Sequence, residues 1–255
     1  MKTILIRRRF LTLAACAAAV CLMFYVVNYP TAVDASASQR QLPIYCVQRD
    51  QKLASVSFDA AWGNEDTQQL IDILERYQVK ATFFVVGDWA DKYPESVKAL
   101  HDAGHEVMNH SNTHAHYPQL SAEEIVADLN ACNDKIEAIT GVRPTLVRLP
   151  YGDYDDNAVR AVRSIGMEPI QWDVDRLDWK EIPAEEIVQR VTGKVQPGSI
   201  VLFHNAALHT PEALPSILET LIQEGYTFVP ISQLILDGEY NTDYTIDHTG
   251  RQCPA

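Results

Sequence analysis

From about Ile44 onward the hydrophobic pattern of this chain switches between two periods. Short apolar runs occur at residues 54–58, 81–86, 105–108, 146–148, 168–173, 199–203 and 227–230. Runs of that length, rich in Val, Ile and Phe, read as buried strands. Between them apolar residues recur every three or four positions, at 67–77, 94–103, 121–140, 157–165, 184–192 and 214–224. That is the period of a helix with one buried face. Leu70, Ile71 and Leu74 make one stripe; Ile125, Leu129, Cys132 and Ile136 make another. Gly104, Gly141, Gly166, Gly193 and Gly225 each follow a helical stretch, where a left-handed residue is wanted. Ser121 and Glu124 have the spacing of a capping box.

Strand and helix in alternation predict parallel strands joined by crossover helices. Seven strands in about 190 residues predict an α/β fold, a distorted seven-stranded (β/α) barrel with a parallel sheet. A doubly wound open sheet is the alternative. In both, ligands bind beyond the carboxyl ends of the strands.

The flanks read differently. Arg7, Arg8 and Arg9 precede 18 uncharged residues, Phe10 to Val27. Residues 1–30 therefore predict a signal-anchor, with the arginines on the cytoplasmic side and the folded domain outside. Cleavage after Ala37 would make it a signal peptide instead, and Cys16 at a lipoprotein-like box is a third reading. Residues 31–42 read as a linker, 43–237 as the folded domain, and 238–255 as a polar, unpatterned tail without stable order.

The formal net charge is -13. Beyond residue 37 the chain holds 17 basic and 33 acidic side chains. Such a domain repels polyanions, which excludes nucleic acid as a partner. Cys46, Cys132 and Cys253 fall in the domain. Cys132 lies on a helical stripe and reads as a buried thiol, while Cys46 and Cys253 could pair.

Chemistry collects where strands end. Asp59 follows the first run, and His110 and His114 follow the third. Arg148, Pro150, Tyr151 and Gly152 follow the fourth; Asp173, Asp175, Asp178 and Trp179 follow the fifth; His204 follows the sixth. One charged residue at a strand end is ordinarily a solvated terminus. Five strand ends on one rim predict an active site, because unpaired charges gathered there without a role would repel one another. Two histidines four apart are a common way to hold a divalent metal from one short segment.

Ser57-Phe58-Asp59, His110-Ser111-Asn112-Thr113-His114, Arg148-Leu149-Pro150-Tyr151-Gly152, Asp175-Arg176-Leu177-Asp178-Trp179 and Leu202-Phe203-His204 resemble, in order, the five motifs of the polysaccharide deacetylases. These are the NodB-homology enzymes of carbohydrate esterase family 4. The resemblance spans about Ala54 to Leu236, and the variant Phe58-Asp59-Ala60-Ala61-Trp62-Gly63-Asn64 is similar to the sporulation-associated branch. It implies metal-assisted hydrolysis of the acetamido group of an N-acetylated sugar, most naturally in peptidoglycan. By that resemblance His110 and His114 bind a divalent metal, zinc being the natural choice, and Asp59 is the base that activates water. Arg148 holds Asp59, and His204 is the general acid, oriented by Asp178. The backbone N–H of Tyr151 serves the oxyanion; Trp179 and Leu202 form the slot for the acetyl methyl. One position departs from the pattern: Ala60 stands where the family has a second aspartate, a metal ligand. Two imidazoles alone make an incomplete site. The alternative reading is therefore a catalytically weak or inactive homologue that binds glycan during cell-wall or spore assembly.

Overall fold

The computed structural model describes residues 40–175 and 182–255. The anchor or signal expected at 1–30, most of the linker, and the motif residues Asp178 and Trp179 lie outside the described residues. Strand β1 (Cys46–Val47) precedes β2 (Leu53–Ala60), β3 (Thr82–Val85), β4 (Glu106–Asn109) and β5 (Leu146–Val147). Then come β6 (Glu168–Pro169), β7 (Val174–Asp175), β8 (Ile200–His204) and β9 (Thr227–Phe228). The main sheet runs β6-β5-β4-β3-β2-β8-β7, with β9 pairing β2, and every pairing in it is parallel.

The expected strand at 168–173 is a strand over its first two residues only, and a second short one begins just after it. The first, β6, pairs with β5, and the second, β7, pairs with β8. One stretch of chain thus joins the two edges of the sheet, and the curl closes covalently rather than by a continuous ladder. Gln171, Trp172 and Asp173 cross the seam. The Asp173 carboxylate accepts from Ser199 Oγ at 2.7 Å and from the Ile200 N–H at 2.8 Å, which ties the crossing to the start of β8.

Strand β2 runs through the middle of this sheet, and its alternation sorts two environments. Ala54, Val56, Phe58 and Ala60 belong to the apolar layer with the helices. Phe58 stacks between Phe83 and Phe203, at ring distances of 4.7 and 5.3 Å. Ser55, Ser57 and Asp59 take the other face and are nonetheless buried. The serines satisfy themselves against neighbouring carbonyls: Ser55 Oγ donates to Val229 O at 2.6 Å and Ser57 Oγ to Val201 O at 2.8 Å. A polar inner face is tolerable only because each hydroxyl has such a partner.

The six expected helices stand where periodicity places them, including Ala184–Thr192, which matches at both ends, while the short helices Gly87–Lys92 and Ile231–Leu234 carried no such period. The Ser121 capping box is present, with both reciprocal hydrogen bonds, and Gly141 closes that helix at φ 74°. Gly193 does not take the left-handed form; its φ is -78°. Cys132 is fully buried, as expected of a core thiol, and Cys46 and Cys253 are free thiols.

The C-terminal tail departs from expectation. Residues Tyr244–Ile246 (β10) and Arg251–Pro254 (β11) are paired strands, and β11 also lies parallel to β1. Tyr244, Ile246 and Gln252 are buried there. The Gln252 side chain bridges the Leu236 backbone, accepting from its N–H at 2.7 Å and donating to its C=O at 3.0 Å. The compact unit accordingly runs from Gln41 to Ala255, beyond the expected limits of 43 and 237. This second sheet sits at the amino-terminal end of β8, where Val47 N–H donates to Gly198 O at 2.9 Å.

Candidate active site

Asp59 and His204 end two adjacent parallel strands and face each other in register across β2 and β8. The sheet itself therefore sets a carboxylate beside an imidazole. Arg148, directly after β5, reaches under the site and is completely buried. Its Nη1 donates to Asp59 Oδ1 at 2.8 Å, and its Nη2 donates to Ser57 Oγ at 2.9 Å and to Gln171 O at 3.2 Å. The guanidinium also lies against the Phe84 ring at 4.3 Å and the Trp172 ring at 5.5 Å. A planar fork held on both edges and packed against aromatic rings cannot be copied by lysine. Burial opposes the charge on Asp59, but the Arg148 guanidinium beside it outweighs burial and holds the carboxyl below the usual range. Asp59 is thus ionised, with one oxygen taken by Arg148.

His110 and His114 do not lie on a helical turn. They follow β4 on a loop in which Ser111 and His114 adopt left-handed backbone, at φ 66° and 58°. Side chains fix this shape. Asn109 Oδ1 accepts from the Ser111 N–H, and Ser111 Oγ accepts from the His114 N–H, both at 2.7 Å. Asp128, on the helix Ala122–Thr140, accepts from the Asn112 N–H at 2.8 Å and from Tyr117 Oη at 2.7 Å. The two imidazole rings end 5.0 Å apart.

The Nδ1 of His110 is 2.7 Å from the Arg148 carbonyl, which can only accept, so Nδ1 carries the hydrogen. Its Nε2 lone pair then looks toward Asp59 Oδ2 at 3.6 Å. Burial pushes the His110 pKa down despite the nearby carboxylate, and burial likewise pushes His114 down to about 4.

The far wall comes from the segment after β5 and from the end of β8. Tyr151 is left-handed, with φ 60° and ψ 3°, and its side chain is exposed. Its ring stacks on His116 at 3.9 Å and meets His114 edge-on at 4.4 Å. Gly152 follows at φ +66°, and a Cβ there would lie 2.8 Å from the Trp172 ring. Both the dihedral and the close approach require glycine.

Asp59, His110, His114, Tyr151, Leu202 and His204 all line one cavity of about 630 Å³. Arg148 stands behind Asp59 rather than in the cavity wall. Trp62, Trp172, Asp175, Asn205, Ala206 and Ala207 complete the lining. Among these, Asp175 and Trp62 fall in stretches that carry the family resemblance, whereas Asn205 and the alanines carry no strand-end signature of charge.

The donor set does not complete a metal site. Among the described residues, no three His, Cys, Asp or Glu side chains are placed to hold an ion together. His110 has the tautomer of a ligand, with its second nitrogen bonded to a carbonyl. Ala60, however, brings no donor and is packed in the apolar layer at 1% exposure.

The profile of the family described as Polysaccharide deacetylase matches residues 47–170. The chain is 37% identical over 188 residues to peptidoglycan-N-acetylmuramic acid deacetylase PdaC of Bacillus subtilis, covering 74% of this chain and 40% of that protein. It therefore spans well under half the length of that relative. It is 29% identical to a peptidoglycan-N-acetylglucosamine deacetylase of Bacillus cereus, over 71% of this chain and 67% of that one. Among solved structures, it is similar to a CE4 family pseudoenzyme from Bacillus anthracis, with TM-score 0.73 and 36% identity, covering 76% and 69% of the two chains. A mutant of that pseudoenzyme, described as having restored enzymatic activity, matches at TM-score 0.73 and 37% identity, over 76% and 71%. The solved structure of PdaC from Bacillus subtilis matches with TM-score 0.67 and 38% identity, over 74% of this chain and 92% of that one.

Proposed function

Because this chain belongs to the polysaccharide deacetylase family, we propose that it hydrolyses the acetamido group of an N-acetylated sugar in peptidoglycan. The observation that carries this reading is the pairing of an ionised, arginine-held Asp59 with His204 at the mouth of one cavity. Amide hydrolysis needs a group to take a proton from water, donors for the oxyanion and a proton for the departing amine. Asp59 takes the proton from water through the oxygen that Arg148 leaves free. The amine nitrogen receives its proton from His204. The Tyr151 N–H, turned by its left-handed backbone, serves the oxyanion, and Leu202 walls the space for the acetyl methyl. Asp178 and Trp179, which the family resemblance assigns to orienting His204 and to that same slot, complete this proposal from outside the described residues.

The site's own residues do not complete a metal site, so no step here is routed through an ion. A divalent metal, zinc by the family's pattern, would bind weakly to His110 and His114. Ala60 favours the second reading, a glycan-binding homologue of low activity, and the likeness to a pseudoenzyme supports it. Acetate release from peptidoglycan fragments and chitooligosaccharides, with and without added zinc, separates the two. The enzyme reading expects release that falls at least about a hundredfold in Asp59→Asn; release equal in wild type and variant would defeat it.

The arginines and apolar run of residues 1–30 support placing this domain outside the cytoplasmic membrane, where its substrate lies. Among the described residues no helix is long and apolar enough to cross a membrane. Protease added to intact protoplasts would digest a domain so placed, and full protection would refute the placement.

A further inference from the structure

Trp62 is 58% exposed beside the cavity, yet its backbone is held from both sides. The buried Asn205 side chain, next to His204, accepts from the N–H of Ala61 at 3.2 Å and donates to the C=O of Gly63. A second donor, the Trp89 indole N–H, reaches the same Gly63 carbonyl at 3.1 Å. One side chain therefore clasps the residues immediately before and after Trp62. The indole itself stands between the two functional walls, with its ring 5.7 Å from that of His114 and 6.5 Å from that of His204. Leaving a large aromatic side chain in water has no folding benefit, and fixing the backbone that carries it lowers the entropy lost when something binds.

We propose that Trp62 is a sugar-stacking platform. It would take the apolar C–H face of a pyranose ring adjoining the unit whose acetamido group enters the cavity. This rests on the deacetylase reading above. The ring's negative π-face meets the weakly positive C–H groups of an uncharged sugar. The surrounding groups, Asp59, Asp175, His114 and His204, offer hydrogen bonds to hydroxyls. A platform outside the reacting subsite selects for chains over single sugars. Asn205 is its positioning residue.

The test measures chitotetraose binding to the full chain carrying Asp59→Asn, so that no turnover intervenes. In that background Trp62→Ala should weaken binding about tenfold or more, while Trp62→Phe should stay within about threefold of the parent. N-acetylglucosamine alone should show little dependence on Trp62. The Trp62 indole N–H resonance should shift as chitotetraose is added. Asn205→Ala should weaken binding by an intermediate factor that Trp62→Ala does not compound. Equal chitotetraose affinity in the parent and Trp62→Ala proteins overturns the platform and leaves the deacetylase reading standing. No chitotetraose binding by the Asp59→Asn protein also overturns it, and acetate release by the wild type then decides separately whether that reading survives.

Discussion

Two neighbouring positions, Asp59 and Ala60, show how strand alternation divides labour at this site. Asp59 faces the cavity and is neutralised by Arg148; Ala60 faces the helices and packs with Phe58 and Val56. Substituting aspartate at 60 puts a carboxylate into an apolar layer. Without metal, Ala60→Asp should lower the melting temperature, with a cost on the order of 1–3 kcal/mol for the poorly paired buried group. If its carboxylate reaches the histidine pair, zinc should raise the melting temperature of the variant well beyond that of the wild type, since an ion that binds only the folded state stabilises it. Calorimetry with and without zinc checks this. A wild type stabilised by zinc as strongly as the variant would show that another residue already supplies the third ligand.

At the level of the element, β4 and the loop after it do two different jobs. At the head of the strand His105 is a core residue: its Nδ1 accepts from the Ala81 N–H at 3.2 Å, and its ring packs 5.4 Å from that of Phe83. Burial, with help from Lys80, lowers its pKa from 6.5 to about 4. The unfolded chain therefore takes up this proton below about 6.5 while the folded chain refuses it until about 4. Stability from this residue is complete above pH 6.5 and drains away as pH falls to 4, by up to about 3 kcal/mol. Urea unfolding from pH 7.5 downward should show a shallower decline in His105→Gln than in the wild type; parallel declines would sink the assignment. The start of β4 was readable from its apolar run, and so were its neighbours, because parallel buried strands leave a continuous signature. The shape of the histidine loop was not. Spacing suggested only that one short segment presents both histidines, but two left-handed residues and the distant Asp128 decide the geometry. That Asp59, His110, His114 and His204 share one cavity was legible because each lies at or just beyond the end of a strand. Trp62 and Asn205 escaped because two loops meet there across a separation of 142 positions, Gly63 to Asn205.

Across the whole molecule, the tail was the largest misreading, and the reason is compositional. Its buried side chains, Tyr244, Ile246 and Gln252, are too few to make a period, yet Tyr244 and Ile246 complete a core with Ile44, Ile170 and Ile231. Gln252→Ala should therefore destabilise the fold by about 1–3 kcal/mol, through two lost hydrogen bonds to Leu236 in a buried setting. Acetate release per folded molecule should be unchanged, because this sheet lies at the opposite rim from Asp59 and His204. A variant with unaltered melting temperature would mean that the tail merely rests on the surface. At the other rim, three of the six described non-glycine residues with positive φ, namely His114, Tyr151 and Ala206, line the cavity, and a fourth, Ser111, adjoins the lining residue His110. Each left-handed residue gives up roughly 1–2 kcal/mol of backbone energy. Descendants of this chain selected only for heat resistance would find ready gains by placing glycine at those four positions, and two of them would thereby lose the imidazole and the phenol ring. The rim is thus the part of the protein that persists only while its chemistry is under selection, whereas the stapled base would outlast it.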